Sequence, residues 1–152
     1  MLEAFYAIKV GVIAGVVMGM SAMILNMIKF TTLDLTKYSG ALLTGQAAGR
    51  VNFIAGFCLH IIASGFFGVV YAYLIAHFNI VIALHNAMYF GLIHALISGY
   101  ILSVFDKMNP CVAQGSIKRM GYFASNYGMT AVLTFFGLHV IYAEAVFFML
   151  AR

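Results

Sequence analysis

Residues 56–75 read GFCLHIIASGFFGVVYAYLI, twenty residues without one charged side chain. At about 1.5 Å of rise per helical residue, such a stretch covers the roughly 30 Å hydrocarbon core of a bilayer. It carries a single histidine, His60, and small residues at multiples of four, Gly56, Ser64 and Gly68. An ionisable group inside a membrane is costly and faces protein or water, so His60 is a candidate site and not surface decoration. A weaker copy follows near the end of the chain, FFGLHVIYAEAVFFMLA, where His139 stands 79 residues after His60.

The whole chain shares this character. Of its 152 residues 64% are hydrophobic and only 8% charged, and the mean hydropathy is +1.04. A soluble domain uses about 25% charged residues to cover its surface. Lipid is therefore the expected solvent, and apolar segments recur too far along the chain for a leader peptide to explain them. A pI near 9.2 does not imply nucleic acid, because the eight basic residues are spread between apolar segments as topogenic charge. Cys58 and Cys111 have no motif around them, one inside a span and one in a loop, and no disulfide is expected.

Four spans are expected, at about 6–27, 53–75, 83–105 and 131–150, in one integral membrane domain covering 1–152. In the first, Gly11, Gly15 and Gly19 repeat every fourth residue and share a face. In the third, Gly91, Ala95 and Gly99 do the same. With Gly56 and Gly68 these are read as helix-packing positions, where a missing side chain lets a neighbour approach closely. The connection after the first span holds Asp34, a candidate cap for a short helix, and Gly45, a candidate stop. Leu35, Tyr38 and Leu42 share one face there, so it reads either as an amphipathic segment along the membrane surface or as an ordinary loop. Asp106, Lys107, Asn109 and Pro110 end the third span.

Lys29, Lys37, Arg50, Lys107, Lys118 and Arg119 all fall in the connections at about 28–52 and 106–130, against Lys9 and Arg152 on the other side. Positive-inside orientation puts both connections in the cytoplasm and both termini outside.

Spans one and three align at an offset of 80, Gly11 with Gly91, Gly15 with Ala95, Gly19 with Gly99. Spans two and four align at 79, Phe57 with Phe136, Leu59 with Leu138, His60 with His139, Ile62 with Ile141. An offset of two spans preserves direction through the membrane, which makes the repeat parallel. The expected fold is an all-α membrane protein, a four-transmembrane-helix bundle of two repeated hairpins, with His60 and His139 at equal depth.

Several short motifs together carry a resemblance. They are MILNMIK closing the first span, Leu33–Asp34 in the loop, Gly56, His60, Gly68 and Tyr71–Ala72 in the second span, and Leu138 to Tyr142 in the last. In these the chain resembles a family of small bacterial four-span membrane proteins grouped as a domain of unknown function. Ala143–Glu144 stands where such proteins tend to carry glycine. The resemblance implies the fold and a membrane location and brings no activity with it.

His60 and His139 admit two readings: axial ligands of a haem b held between helices, or packing groups that hydrogen-bond neighbouring helices. Ser64 would be the acceptor supporting His60 as a ligand, and its counterpart is Ala143. His94 lies near the middle of the third span without a repeat partner. Glu144 is the acid well inside a span, and a pair with Lys9 would neutralise both. Met18, Met20, Met23 and Met27 invite a copper reading, but methionine is a common gap-filler, so packing is favoured and no metal site is expected. His77 and His85 flank the turn between spans two and three with no carboxylate near them. No nucleophile elbow, zincin or phosphate-loop motif is present in the sequence, so no enzyme is expected. The leading expectation is a non-enzymatic accessory or assembly subunit of a larger inner-membrane complex, of which a respiratory one is an example, with the lipid bilayer, larger subunits or a second copy as partners. A haem protein using His60 and His139 is the alternative, and a small ion or metabolite carrier using Glu144 and His94 is the third.

Overall fold

The computed structural model describes residues 2–151, so Arg152, counted above in the charge balance, lies outside them. The described chain is helical and contains no strand. Its elements are α1 (Leu2–Met27), α2 (Leu35–Thr44), α3 (Arg50–His77), α4 (Leu84–Met108), the single turn α5 (Pro110–Ala113), a 3₁₀ segment (Tyr122–Tyr127) and α6 (Met129–Leu150). Four of them, α1, α3, α4 and α6, are long and apolar enough to cross a membrane, with mean hydropathy between 1.7 and 2.1 over their most apolar windows. Fewer than half of the positions in each of those windows are buried inside the molecule, which leaves broad apolar surfaces for lipid. The helices outrun the apolar runs that announce them, α3 by three residues at its start and two at its end, because helical hydrogen bonding continues past the hydrocarbon boundary.

Helix α1 packs on α3, α4 on α6, and α1 and α6 lie against each other in the middle. Helices α3 and α4 are successive spans but make almost no main-chain approach, so a cleft separates the two outer helices. Glycines set the close contacts. A Cβ on Gly11 would sit 2.8 Å from the Gly68 Cα and collide with the Ser64 carbonyl, so only bare backbone fits. A Cβ on Gly91 would sit 2.6 Å from the Val140 Cα and 2.9 Å from the His139 carbonyl. The two seams are not in the same register. Gly11 faces Ser64 and Gly68, whereas Gly91, which aligns with it at the offset of 80, faces His139 and Val140, which align with His60 and Ile61 at 79, about one helical turn away. Gly99 does not join the helix seam at all. A Cβ there would strike the Phe123 ring, which the 3₁₀ segment tucks into the gap through left-handed φ angles at Phe123 (56°) and Ala124 (61°).

The connections are built, not loose. Asp34 caps α2 by accepting the Lys37 N–H at 2.8 Å, and Gly45 ends it in the left-handed conformation at φ 68°. Of the two readings of this segment the helix is the one observed, and its inner face packs on α3. Gly40 abuts the Asn52 carbonyl and Gly56 abuts Thr36, so α2 runs antiparallel along the first turns of α3 with Tyr38, Gly40 and Ala41 buried. Asn52 fixes the turn by donating to the carbonyls of Lys37 (3.0 Å) and Gln46 (2.6 Å).

Asp106 locks the second connection onto the first. Its Oδ1 accepts the Tyr38 hydroxyl and the Met120 N–H, and its Oδ2 the Gly121 N–H, each at 2.8 Å. Asn109, fully buried, adds a bond to the Tyr38 carbonyl at 3.2 Å. Burial together with the Asp106 bond pushes the Tyr38 hydroxyl well above the ordinary tyrosine pKa. At the far end of the bundle the Tyr6 hydroxyl donates to the Met149 carbonyl at 2.8 Å, so the beginning of α1 and the end of α6 meet opposite the α2–α5 end.

Candidate functional site

The side chains that converge within the membrane-spanning region are three histidines. His60 on α3 lies along the glycine stripe of α1; a Cβ at Gly19 would stand 3.7 Å from its Nε2, and one at Gly15 would strike the Ser64 side chain that fills that place. That nitrogen is 2.9 Å from the Gly15 carbonyl oxygen. A carbonyl only accepts, so the proton is on Nε2 and His60 donates it across the α1–α3 seam. Ser64 does not support the imidazole, because its hydroxyl donates instead to the His60 carbonyl at 2.7 Å.

His139 on α6 is buried, and its Nδ1 donates to the Phe135 carbonyl of its own helix at 2.7 Å. The other ring nitrogen, Nε2, has no hydrogen-bond partner among the described residues. His94 on α4 meets it edge to face, with ring centroids 4.8 Å apart at 82°. The His94 Nδ1 lies 3.2 Å from the Tyr71 hydroxyl, and its ring rests 3.9 Å from the Phe67 ring. Tyr142, one turn beyond His139, donates to the Ser64 carbonyl at 2.6 Å and so joins α6 to α3.

These groups line a chamber of about 300 Å³ whose walls include His60, His94, His139, Ser64, Tyr142 and Phe67. Leu35, Thr36 and Ser39 of α2 and Phe105 of α4 border its end toward α2. A smaller, almost wholly apolar cleft of about 140 Å³ between α3 and α4 shares Phe67 and His94 with it. Most of the chamber lining is apolar, with a few convergent polar groups, which is the composition of a small-molecule pocket. Among the described residues no three of His, Cys, Asp and Glu are arranged to hold a metal ion.

The other candidates fall elsewhere. Lys9 and Glu144 form no ion pair. Lys9 is exposed and reaches back one turn, placing Nζ 4.5 Å over the Phe5 ring, as a lysine does when its neighbours are apolar. Glu144 is half-buried and lies outside the chamber. Met18 belongs to the core, but Met20, Met23 and Met27 stay more than half exposed and do not fill gaps in it. Asp106 and Tyr142 tie the elements together, a role the sequence did not disclose: Asp106 reads there only as a span end and Tyr142 only as part of the last motif. Tyr142 carried a signal, since it follows His139 by three residues and so shares its helical face.

No family model matches the chain, and no match was found among curated proteins or solved structures. The fold and chamber alone define its class, a small all-helical chain with four helices suited to crossing a bilayer and polar groups collected between them.

Proposed function

We propose that this is a non-enzymatic, multi-pass subunit of a bacterial inner membrane that acts by holding a small apolar molecule with one hydrogen-bonding head group. The observation that carries this reading is the pairing of His94 and His139 at 4.8 Å in a chamber beside the α3–α4 cleft. One nitrogen of each ring is engaged and the other has no protein partner among the described residues. The proposal keeps the accessory-subunit expectation, the parallel repeat of two hairpins and the resemblance to small bacterial four-span proteins, with both termini outside. The orientation is supported by the gathering of Lys29, Lys37 and Lys118 around one cavity at the end away from the termini, as positive-inside charge requires.

Haem b remains the second reading. His60 spends its Nε2 proton on the Gly15 carbonyl, the bond the packing reading asks of it, and would have only Nδ1 to offer iron. The carrier reading is weakened by the position of Glu144 outside the chamber.

Native mass spectrometry of protein extracted in mild detergent, with its absorption spectrum, tests the proposal. A co-purifying apolar molecule that is lost in His94→Phe and in His139→Phe, with no Soret band, is expected. Folded wild-type protein carrying nothing would contradict it, and a Soret band lost in His60→Ala would replace it with the haem reading.

A further inference from the structure

A cavity roomier than the histidine chamber is a basin of about 600 Å³ at the lysine-bearing end, between the α1–α2 turn and the segment that follows α5. Lys29, Lys37 and Lys118 stand around it, with Thr31, Thr32 and Asp34. Lys29 holds a left-handed φ of 59°, a conformation uncommon for a residue with a side chain, at the turn that brings α1 back toward α2. Lys118 lies 5.6 Å over the Tyr127 ring.

Hydrogen bonding decides what such a basin can take. The groups that could accept from a ligand are mostly committed. Asp34 Oδ1 caps α2, the Thr31 hydroxyl oxygen accepts the Leu33 N–H, and the Leu33 and Lys118 carbonyls accept Asn26 and Tyr127. The Tyr38 hydroxyl is spent on Asp106. The three ammonium groups remain, and among the described residues none is in an ion pair with a carboxylate. Three cations against the one lining carboxylate leave the basin net positive.

The two walls are also fixed to one another. Asp106 binds Tyr38 on the α2 side and the Met120 and Gly121 N–H groups on the other, so Lys37 and Lys118 are carried on a common support. Lysine binds phosphate as a strongly hydrated point charge, and basic pockets at the cytoplasmic ends of membrane helices suit anionic head groups.

We infer that this basin binds a phosphate-bearing anion, held by Lys29, Lys37 and Lys118. The same chemistry is offered by an anionic phospholipid head group and by a soluble phosphate compound. Two arms separate these sources, using the full chain in each. In one, native mass spectrometry compares retention of phosphatidylglycerol with that of phosphatidylcholine. In the other, pyrophosphate is titrated calorimetrically into the protein held in phosphatidylcholine nanodiscs.

Binding in either arm is expected to weaken about fivefold for each lysine removed, in Lys37→Gln and in the double variant with Lys118→Gln. The doubly substituted Lys37→Arg, Lys118→Arg protein should keep it, which separates charge from folding. Lys107→Gln, exposed and outside the basin, should leave it unchanged. Selective retention of phosphatidylglycerol identifies the lipid source, and a pyrophosphate heat identifies the soluble one. Folded protein that binds in neither arm, or a Lys107→Gln effect as large as that of Lys37→Gln, overturns the inference.

Discussion

Asp106 is where a single residue decides the most. Its two oxygens accept three donors from two separate segments, and it is almost wholly buried. Asp106→Ala strands a buried hydroxyl and two backbone N–H groups, so a loss of about 3 kcal/mol or more is expected, read as a lower thermal midpoint in detergent. Tyr38 gives the same clamp a pH signature. Its folded pKa is raised, so the protonated hydroxyl stabilises the fold fully below the ordinary value of 10.0 and progressively less as pH climbs above it. The midpoint should therefore fall in strongly alkaline buffer, and Tyr38→Phe, which cannot ionise, should flatten that fall. Gly11 is decisive for another reason. Gly11→Ala would push a methyl group into the α3 backbone, costing about 1–3 kcal/mol and loosening the α1–α3 seam.

At the level of elements, α2 shows what a sequence can and cannot disclose. Its cap at Asp34 and its stop at Gly45 were legible, because both depend on local backbone geometry. Its place was not, since that depends on Gly40 and Gly56 meeting Asn52 and Thr36 across a turn. Gly56→Ala should detach α2 from α3, and hydrogen exchange would then show faster amides across residues 35–44 while α6 stays protected. The four spans were legible from apolar length alone. The glycine stripe of α4 was legible only in part, since Gly91 meets a helix and Gly99 meets Phe123 in a segment with no regular pattern. His60 and His139 stood out as intramembrane histidines. The pairing of His94 with His139 did not, because it arises from α4 packing on α6 and not from any repeat.

The whole molecule has two unlike ends and an unsealed middle. One end gathers α2, α5 and the lysine basin, and the other joins α1 to α6 through Tyr6. With the basic end in the cytoplasm, an impermeant maleimide should label Lys118→Cys in inverted vesicles and leave it unlabelled in right-side-out cells. Between the ends, α3 and α4 stand apart over the histidines, and Phe67 borders both the cleft and the chamber. The chain has no tryptophan, so one introduced at Phe67 reports on that place alone. The most direct measurement is quenching of Phe67→Trp emission by lipids brominated along their acyl chains, beside Phe147→Trp in the buried core. Strong quenching at position 67 with little at 147 is the predicted result, since apolar molecules would reach the chamber from the bilayer. Quenching at position 67 as weak as that at 147 would mean that the chamber is closed to lipid, and the proposed function would fail with it.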